Sequence, residues 1–491
     1  MLMSEEKNIN NNYISGNTKG FYKNKILLTA FLFLFVIFVT SSFLANKGLY
    51  GDAPGMYFIA QNTSKFYFSF NDDTARVFSF YLATIPYNIF FPIFSSANPL
   101  IKLSLFSTSY LVMSGILTAI NFYAAKYTKR FDIAIYAVFV YSFFYLPGSI
   151  WTNREIFIAF PIWFMLLQFF VCKEKLGLIP RLIMLFCLIY SFESFESFVP
   201  LGIILFAASV LFAAKKDRNY KRKLIIGFSS LAASIYIVLK TLFVATKSYN
   251  LTNSSNEWLT HIKFACSHIF SSDFCISLFG FFLIYLALSK SLSKRHKTNF
   301  SIAGFFFLFL RMDYLNNTEI NTCDFTLYTF LLFVIPLIFL AVIYETYSKR
   351  KILKSKQLMN FFTISLFIGI CQFGYQTECN YRFYNEYFVP LKNVLNTSNR
   401  IIKKDPALVL EDFDKYDLSD MIYLDSILVQ SANPDKKIDT ILLDENSDVY
   451  YDAKTDTIHF RKYDFMFKTK TKDFDFTPII NQLIKSKKTK Q

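Results

Sequence analysis

Seven cysteines in 491 residues, none in a Cys-x-x-Cys pair, exclude a disulfide framework or a thiolate metal centre as the organising device of this chain. Four dispersed histidines add no ligand spacing. A Walker loop, a dinucleotide fingerprint and a Ser-His-Asp order are all missing, so neither a nucleotide nor an organic cofactor is expected. No internal repeat and no low-complexity linker divides the chain. Charged residues make up only 18% of it.

What fills the sequence is apolar. Hydrophobic residues account for 53% and aromatic residues for 19%, with 61 Phe, and soluble domains do not carry that much apolar surface. Uncharged runs at 26–44, 103–125, 133–153 and 325–344 each approach the roughly 20 residues that a bilayer-spanning helix needs. The net charge of +16 would suggest nucleic acid in a soluble protein. Here the basic excess sits in the tail and short loops of the apolar part, where it orients the chain and attracts anionic headgroups. No nucleic-acid partner is implied. Cys172, Cys187, Cys266 and Cys275 lie in or beside apolar runs, where Cys acts as a small hydrophobe. Cys323, Cys371 and Cys379 fall near the outer face and leave room for one disulfide.

Basic clusters and acidic segments alternate along the chain, and an excess of Lys and Arg in short loops marks the cytoplasmic side. Residues 1–25, ending in Lys19, Lys23 and Lys25, read as a disordered cytoplasmic tail. Residues 26–375 read as a transmembrane helical domain with a long first outer loop at 45–100. Within that loop, 75–95 is expected as interfacial helices or a re-entrant segment, because a full crossing would put Lys126, Lys129 and Arg130 outside. Crossings then follow at 103–125, 133–153, 156–172, a hairpin over 182–214, 224–244, 274–289, 298–310, 325–344 and 358–375. The hairpin has fewer residues than two full crossings require, so its tip, Ser191–Ser197, should sit at or below the outer headgroups. Residues 376–491 have the composition of a soluble domain. Met421–Leu424, Ile438–Leu443, Val449–Tyr451 and Thr457–Phe460 suggest strands, with a turn at Asp452–Asp456 and a helix over 383–402. The fold class is an all-α polytopic membrane bundle of about 11 transmembrane helices, with a small C-terminal α/β extracytoplasmic domain.

Acidic residues gather on the outer side, and five groups there could carry chemistry. The first loop opens Gly51-Asp52-Ala-Pro-Gly-Met-Tyr57-Phe-Ile-Ala60, where Asp52 by itself reads as the start of a turn beside Gly51 and Pro54. In Asn71-Asp72-Asp73-Thr-Ala-Arg76 the paired carboxylates suit Mg²⁺ or Mn²⁺, and the guanidinium suits a phosphate; helix capping by Asn or Asp is the alternative. Arg154 and Glu155 sit at a span boundary, as a phosphate contact or an interface anchor. Glu193 and Glu196 stand three apart at the hairpin tip, and carboxylates at that depth line a cavity or meet a partner. Arg382 lies among aromatics beyond the last apolar run. A further loop with Arg311, Asp313, Glu319 and Asp324 reads as solvated.

An outer Asp early in the first loop, followed by Tyr57 and Ala60 in a chain of this topology, resembles the GT-C superfamily of membrane glycosyltransferases. The resemblance covers about 26–400. Many members carry a second acid beside the first, where this chain has Ala53. The resemblance implies a polyprenyl-phosphate-linked sugar donor, a glycan, lipid or protein acceptor, and Asp52 as general base. A carboxylate suits that role when partial burial raises its pKa toward working pH. Asp73, Glu193 and Glu196 would be supporting acids, Asp72 and Asp73 the metal ligands, Arg76 and Arg154 the phosphate clamp, and Tyr57, Glu155 and Arg382 substrate contacts. The alternatives are a transporter or flippase, a polymerase of lipid-linked glycans, and a non-catalytic assembly factor. The weak cysteine usage favours a bacterial inner membrane, with the amino terminus inside and the carboxyl terminus outside.

Overall fold

The computed structural model describes residues 25–49, 54, 57, 77–90, 92–94, 96–144, 156–195, 197–212, 219–248, 298–299, 301–304, 334–348, 355–397, 402–403, 422–433, 437–443, 447–462, 465–470 and 475–488. Helix α1 (Lys25–Leu44) leads into a 3-10 turn at Lys47–Leu49. Helices α2 (Val77–Phe90), α3 (Pro99–Thr128), α4 (Phe131–Phe144) and α5 (Ile156–Val171) follow. Next come α6 (Leu178–Ser191), α7 (Phe198–Phe212), α8 (Tyr220–Ser248), α9 (Ile335–Ser348) and α10 (Ser355–Phe383).

Helix α3 shows how the sequence sets its own limits. Asn98 caps it by accepting from the Ile101 amide at 2.9 Å, and Pro99 occupies the first turn, where its missing N–H costs nothing. Lys129 ends it in the left-handed region at φ 58°. Arg130 then turns back to pair with Asp132 at 2.6 Å and donates to Thr346 on α9 at 2.8 Å.

Among the described residues, four helices are long and apolar enough to cross a membrane: Lys25–Leu44, Pro99–Thr128, Tyr220–Lys240 and Gln357–Asn396. Six shorter apolar helices pack among them. All sixteen residues of α5 are buried, so it is the central post of the bundle. α3 and α4 flank it, α6 and α8 contact it, and α10 packs against α1 and α4. α7 and α8 approach so closely that a Cβ on Gly202 would strike Ser234 Oγ and the Ser230 carbonyl, and one on Gly227 would strike Ser209. Small residues permit such backbone approach where lipid supplies no hydrophobic drive. Gly202→Leu is expected to lower stability by about 2 kcal/mol through overpacking, read as a lower thermal midpoint in detergent.

One expectation narrows and two change. The segment 75–95 contains one helix, α2, with Ser79, Phe80, Leu82, Ala83, Thr84, Pro86 and Tyr87 buried against the bundle. At 14 residues it is about 21 Å long, too short for a full crossing. The composition break at 376 is not a structural break. α10 continues through it into a π turn (Tyr384–Phe388) and α11 (Val389–Thr397), because the buried apolar face carries on through Phe383, Tyr387, Phe388, Leu391 and Leu395. The π turn ends two residues before Pro390, whose missing N–H breaks the regular ladder. The run expected as a strand at Met421–Leu424 is instead helix α12 (Ile422–Gln430), buried along its whole length. A continuous apolar run does not distinguish a strand from a buried helix by periodicity.

The remaining C-terminal elements are short. β1 (Ile402–Lys403) pairs in parallel with β2 (Leu442–Leu443). β3 (Ser447–Asp452), β4 (Thr457–Lys462) and β5 (Phe465–Lys470) form an antiparallel sheet in that order. α13 (Thr477–Lys488) packs on β3. The turn expected at Asp452–Asp456 joins β3 to β4, with Asp456 at φ 49° and Asp452 accepting from the Lys454 amide at 3.0 Å.

Candidate functional site

The hairpin of α6 and α7 turns after Ser191, and Tyr190, Glu193 and Ser194 at that turn are bonded to three other helices. Ser79 Oγ on α2 donates to the Ser194 carbonyl and shares a hydrogen bond with the Tyr190 hydroxyl. One residue earlier, the Phe78 amide donates to the Glu193 carbonyl at 3.1 Å. Trp163 Nε1 on α5 reaches Ser194 Oγ at 3.4 Å. From α8, Lys240 Nζ lies 2.8 Å from both carboxylate oxygens of Glu193, and the Tyr236 hydroxyl donates to the same carboxylate. α2, α5, α6 and α8 therefore converge on this turn.

Of the sequence candidates, the convergence holds Glu193. Phe78 and Ser79, in the first turn of α2, bond the hairpin tip. Asp52, Asp72, Asp73, Arg76, Arg154, Glu155 and Glu196 themselves lie outside the described residues.

Three candidates can be placed. Glu193 is 14% exposed and ion-paired with Lys240, itself 16% exposed, so its charge is already matched. Tyr57 is 2% exposed, its ring 6.1 Å from Phe106 in a cluster with Tyr87 and Tyr110. The ring anchors the first loop on α3, and burial pushes its phenol well above the ordinary range. Arg382 is not beyond the last span but on its continuous helix, 43% exposed and paired with Glu378 at 2.6 Å.

Sequence reading missed Lys240, Tyr236 and Lys47. A charge near the end of an apolar helix invites a search for its counter-charge, and Glu193 was the available acid. Lys47 follows the first span by three residues and is 2% exposed, with its ammonium 4.4 Å from the centre of the Phe383 ring. Burial pushes it down to about 8, while Cys379 pulls it the other way. Nearby, Asn380 Nδ2 on α10 donates to Ser41 and Ser42 on α1 at 2.9 and 2.8 Å. The loop after α1 therefore starts from a fixed floor formed by α1, α3 and α10.

Cys172, Cys187, Cys371 and Cys379, the cysteines among the described residues, are free thiols. No group of three or more His, Cys, Asp or Glu gathers among the described residues in a way that could hold a metal. No family model, curated protein or solved structure matches the chain.

Proposed function

We propose that the chain is an integral membrane glycosyltransferase that moves a sugar from a polyprenyl-phosphate donor to an extracytoplasmic glycan, lipid or protein. The observation that carries the reading is the hydrogen-bonded junction of α2 with the hairpin tip. It ties the segment after Arg76 to the loop bearing Glu193 and Glu196, as an active site assembled from remote acids requires. Asp52 is the general base in this reading, five residues beyond the fixed Lys47. Asp72 and Asp73 hold Mg²⁺ or Mn²⁺ where a cation is used, and Arg76 with Arg154 receives the donor phosphate. Asp73 and Glu196 are the supporting acids. Glu193, neutralised by Lys240, holds the tip in position, and Tyr57 seats the loop. Eleven crossings in a bacterial inner membrane, with the amino terminus inside and the carboxyl terminus outside, complete the proposal.

Asp52→Asn tests it. Glycan completion is expected to fall at least a hundredfold at unchanged protein level, in line with removal of a general base. Full activity at normal protein level removes the base assignment.

A second reading, a transporter or flippase of lipid-linked glycans, is favoured by polar groups inside the apolar helices. Gln168 of α5 bonds Asn121 and Thr128 of α3, and Lys240 carries a charge on α8. Movement of a labelled lipid-linked glycan across reconstituted vesicles, without sugar transfer, would establish it.

A further inference from the structure

At the junction of the last membrane helix and the C-terminal part lies a carboxyl group that the proposed chemistry does not use. Asp425 on α12 is 0% exposed. Its Oδ2 accepts from the Tyr387 hydroxyl in the π turn at 2.6 Å, and its Oδ1 has no hydrogen-bond partner among the described residues. One neutral donor is too little for a buried carboxylate, since burial of a charge demands pairing or several hydrogen bonds. A protonated carboxyl meets the same surroundings at far lower cost. The group facing the carboxyl is the Tyr387 phenol, and burial pushes Asp425 well above the usual carboxylate range while that hydrogen bond opposes the shift. The other charged side chains of the packed elements stand at least partly in solvent: Glu386 in the π turn, Lys392 on α11 and Lys102 on α3. β2 contributes only Leu442 and Leu443.

α12 does not move alone. Gln430 Nε2 donates to the Thr440 carbonyl, and its Oε1 accepts from the Asp439 and Thr440 amides at 2.8 and 3.1 Å. Ser426 Oγ accepts from the Leu442 amide at 3.2 Å. Whatever seats α12 therefore also seats 437–443 and the β1–β2 pair. On the membrane side, α12 contacts α11 and α3.

We propose that Asp425 and Tyr387 form a proton-operated latch, closed when the carboxyl carries its proton, which couples docking of the C-terminal segment on the last membrane helix to the acidity around it. The ligand is the proton itself, and the latch is independent of the transferase reading. The docked carboxyl binds its proton more tightly than an exposed one. Docking is therefore fully stabilised below about pH 4 and weakens as pH rises above it, up to tenfold per pH unit, until the docked group ionises.

The test uses the full-length protein in lipid nanodiscs. Hydrogen-exchange protection of the 422–430 amides is measured from pH 5 to pH 9 and corrected for the intrinsic exchange rate. Wild-type protection is expected to fall by up to tenfold per pH unit over part of this range, while Asp425→Asn, a neutral isostere, stays flat. Tyr387→Phe removes the one donor to the ionised form among the described residues, so the fall should begin at the same pH and continue to higher pH before it levels off. The latch is overturned by flat wild-type protection, by Asp425→Asn falling like the wild type, or by a Tyr387→Phe fall that levels off at lower pH than the wild type's.

Discussion

Lys240→Met lowers the thermal midpoint sharply, because it leaves the Glu193 carboxylate at 14% exposure with Tyr236 as its remaining side-chain donor among the described residues. Breaking a buried pair by removing one partner costs about 3–5 kcal/mol, and the residual exposure of both groups places this case near 3. Glu193→Gln alone leaves an uncompensated ammonium on α8 and costs a similar amount. The double variant restores most of the loss, since neither charge then remains at depth. A double-mutant cycle read from thermal unfolding in nanodiscs should give a coupling of about 4 kcal/mol, the two single losses together less what the double variant still loses. A coupling near zero would mean that the two groups are solvated independently and that the tip is held by α2 and Trp163 alone. The same cycle bears on function. Glu193 as a positioning residue predicts that Glu193→Gln with Lys240→Met retains activity while the single variants lose it. An acid taking part in chemistry predicts that the double variant stays inactive.

The broad architecture was legible because it follows from one-dimensional quantities. Run length and hydropathy foretold α1, α3, the α6–α7 hairpin and the β3–β4 turn, each bounded by polar or turn-forming residues. The continuation of α10 past 376 was not legible from composition. Its buried face is mixed, with Gln372, Gln376 and Asn380 alternating with aromatics, so the averaged hydropathy drops while the helix persists. α12 was misjudged for the opposite reason. It is buried on every side, Asp425, Ser426 and Gln430 included, and an all-buried element has no period to read. At the candidate site, the acids stand out by type alone, but their relations do not. Nothing in the spacing of Ser79, Tyr190 and Ser194 announces that hydroxyls more than a hundred residues apart share one junction. The ion pair of Glu193 with Lys240 is likewise a fact of packing, 47 residues apart along the chain.

Lys47→Met raises stability at neutral pH, and the gain disappears as the solution becomes alkaline. The sign follows from the lysine's environment. Its pKa falls from 10.5 in the exposed chain to about 8 when buried, so the folded state holds the proton more weakly than the unfolded state. Below pH 8 the ammonium is charged in both states, and folding bears the whole cost of burying it. That shift of about 2.5 units corresponds to about 3 kcal/mol. Between pH 8 and pH 10.5 the folded protein sheds the proton first, and the wild type gains stability relative to the variant until the difference closes. Methionine keeps the contact with Phe383 as a sulfur–aromatic contact, so no cavity confuses the comparison. The difference in thermal midpoint between the two proteins should be largest and constant from pH 6 to pH 8, then shrink toward pH 10.5. A difference that does not change with pH would assign the effect to packing alone. A protein that retains such a cost just after its first helix is holding a positive charge five residues along the chain from Asp52. Under the transferase reading, Lys47→Met should therefore yield a more stable but less active protein. A variant that gains stability and keeps full activity would confine Lys47 to packing, while leaving the burial argument untouched.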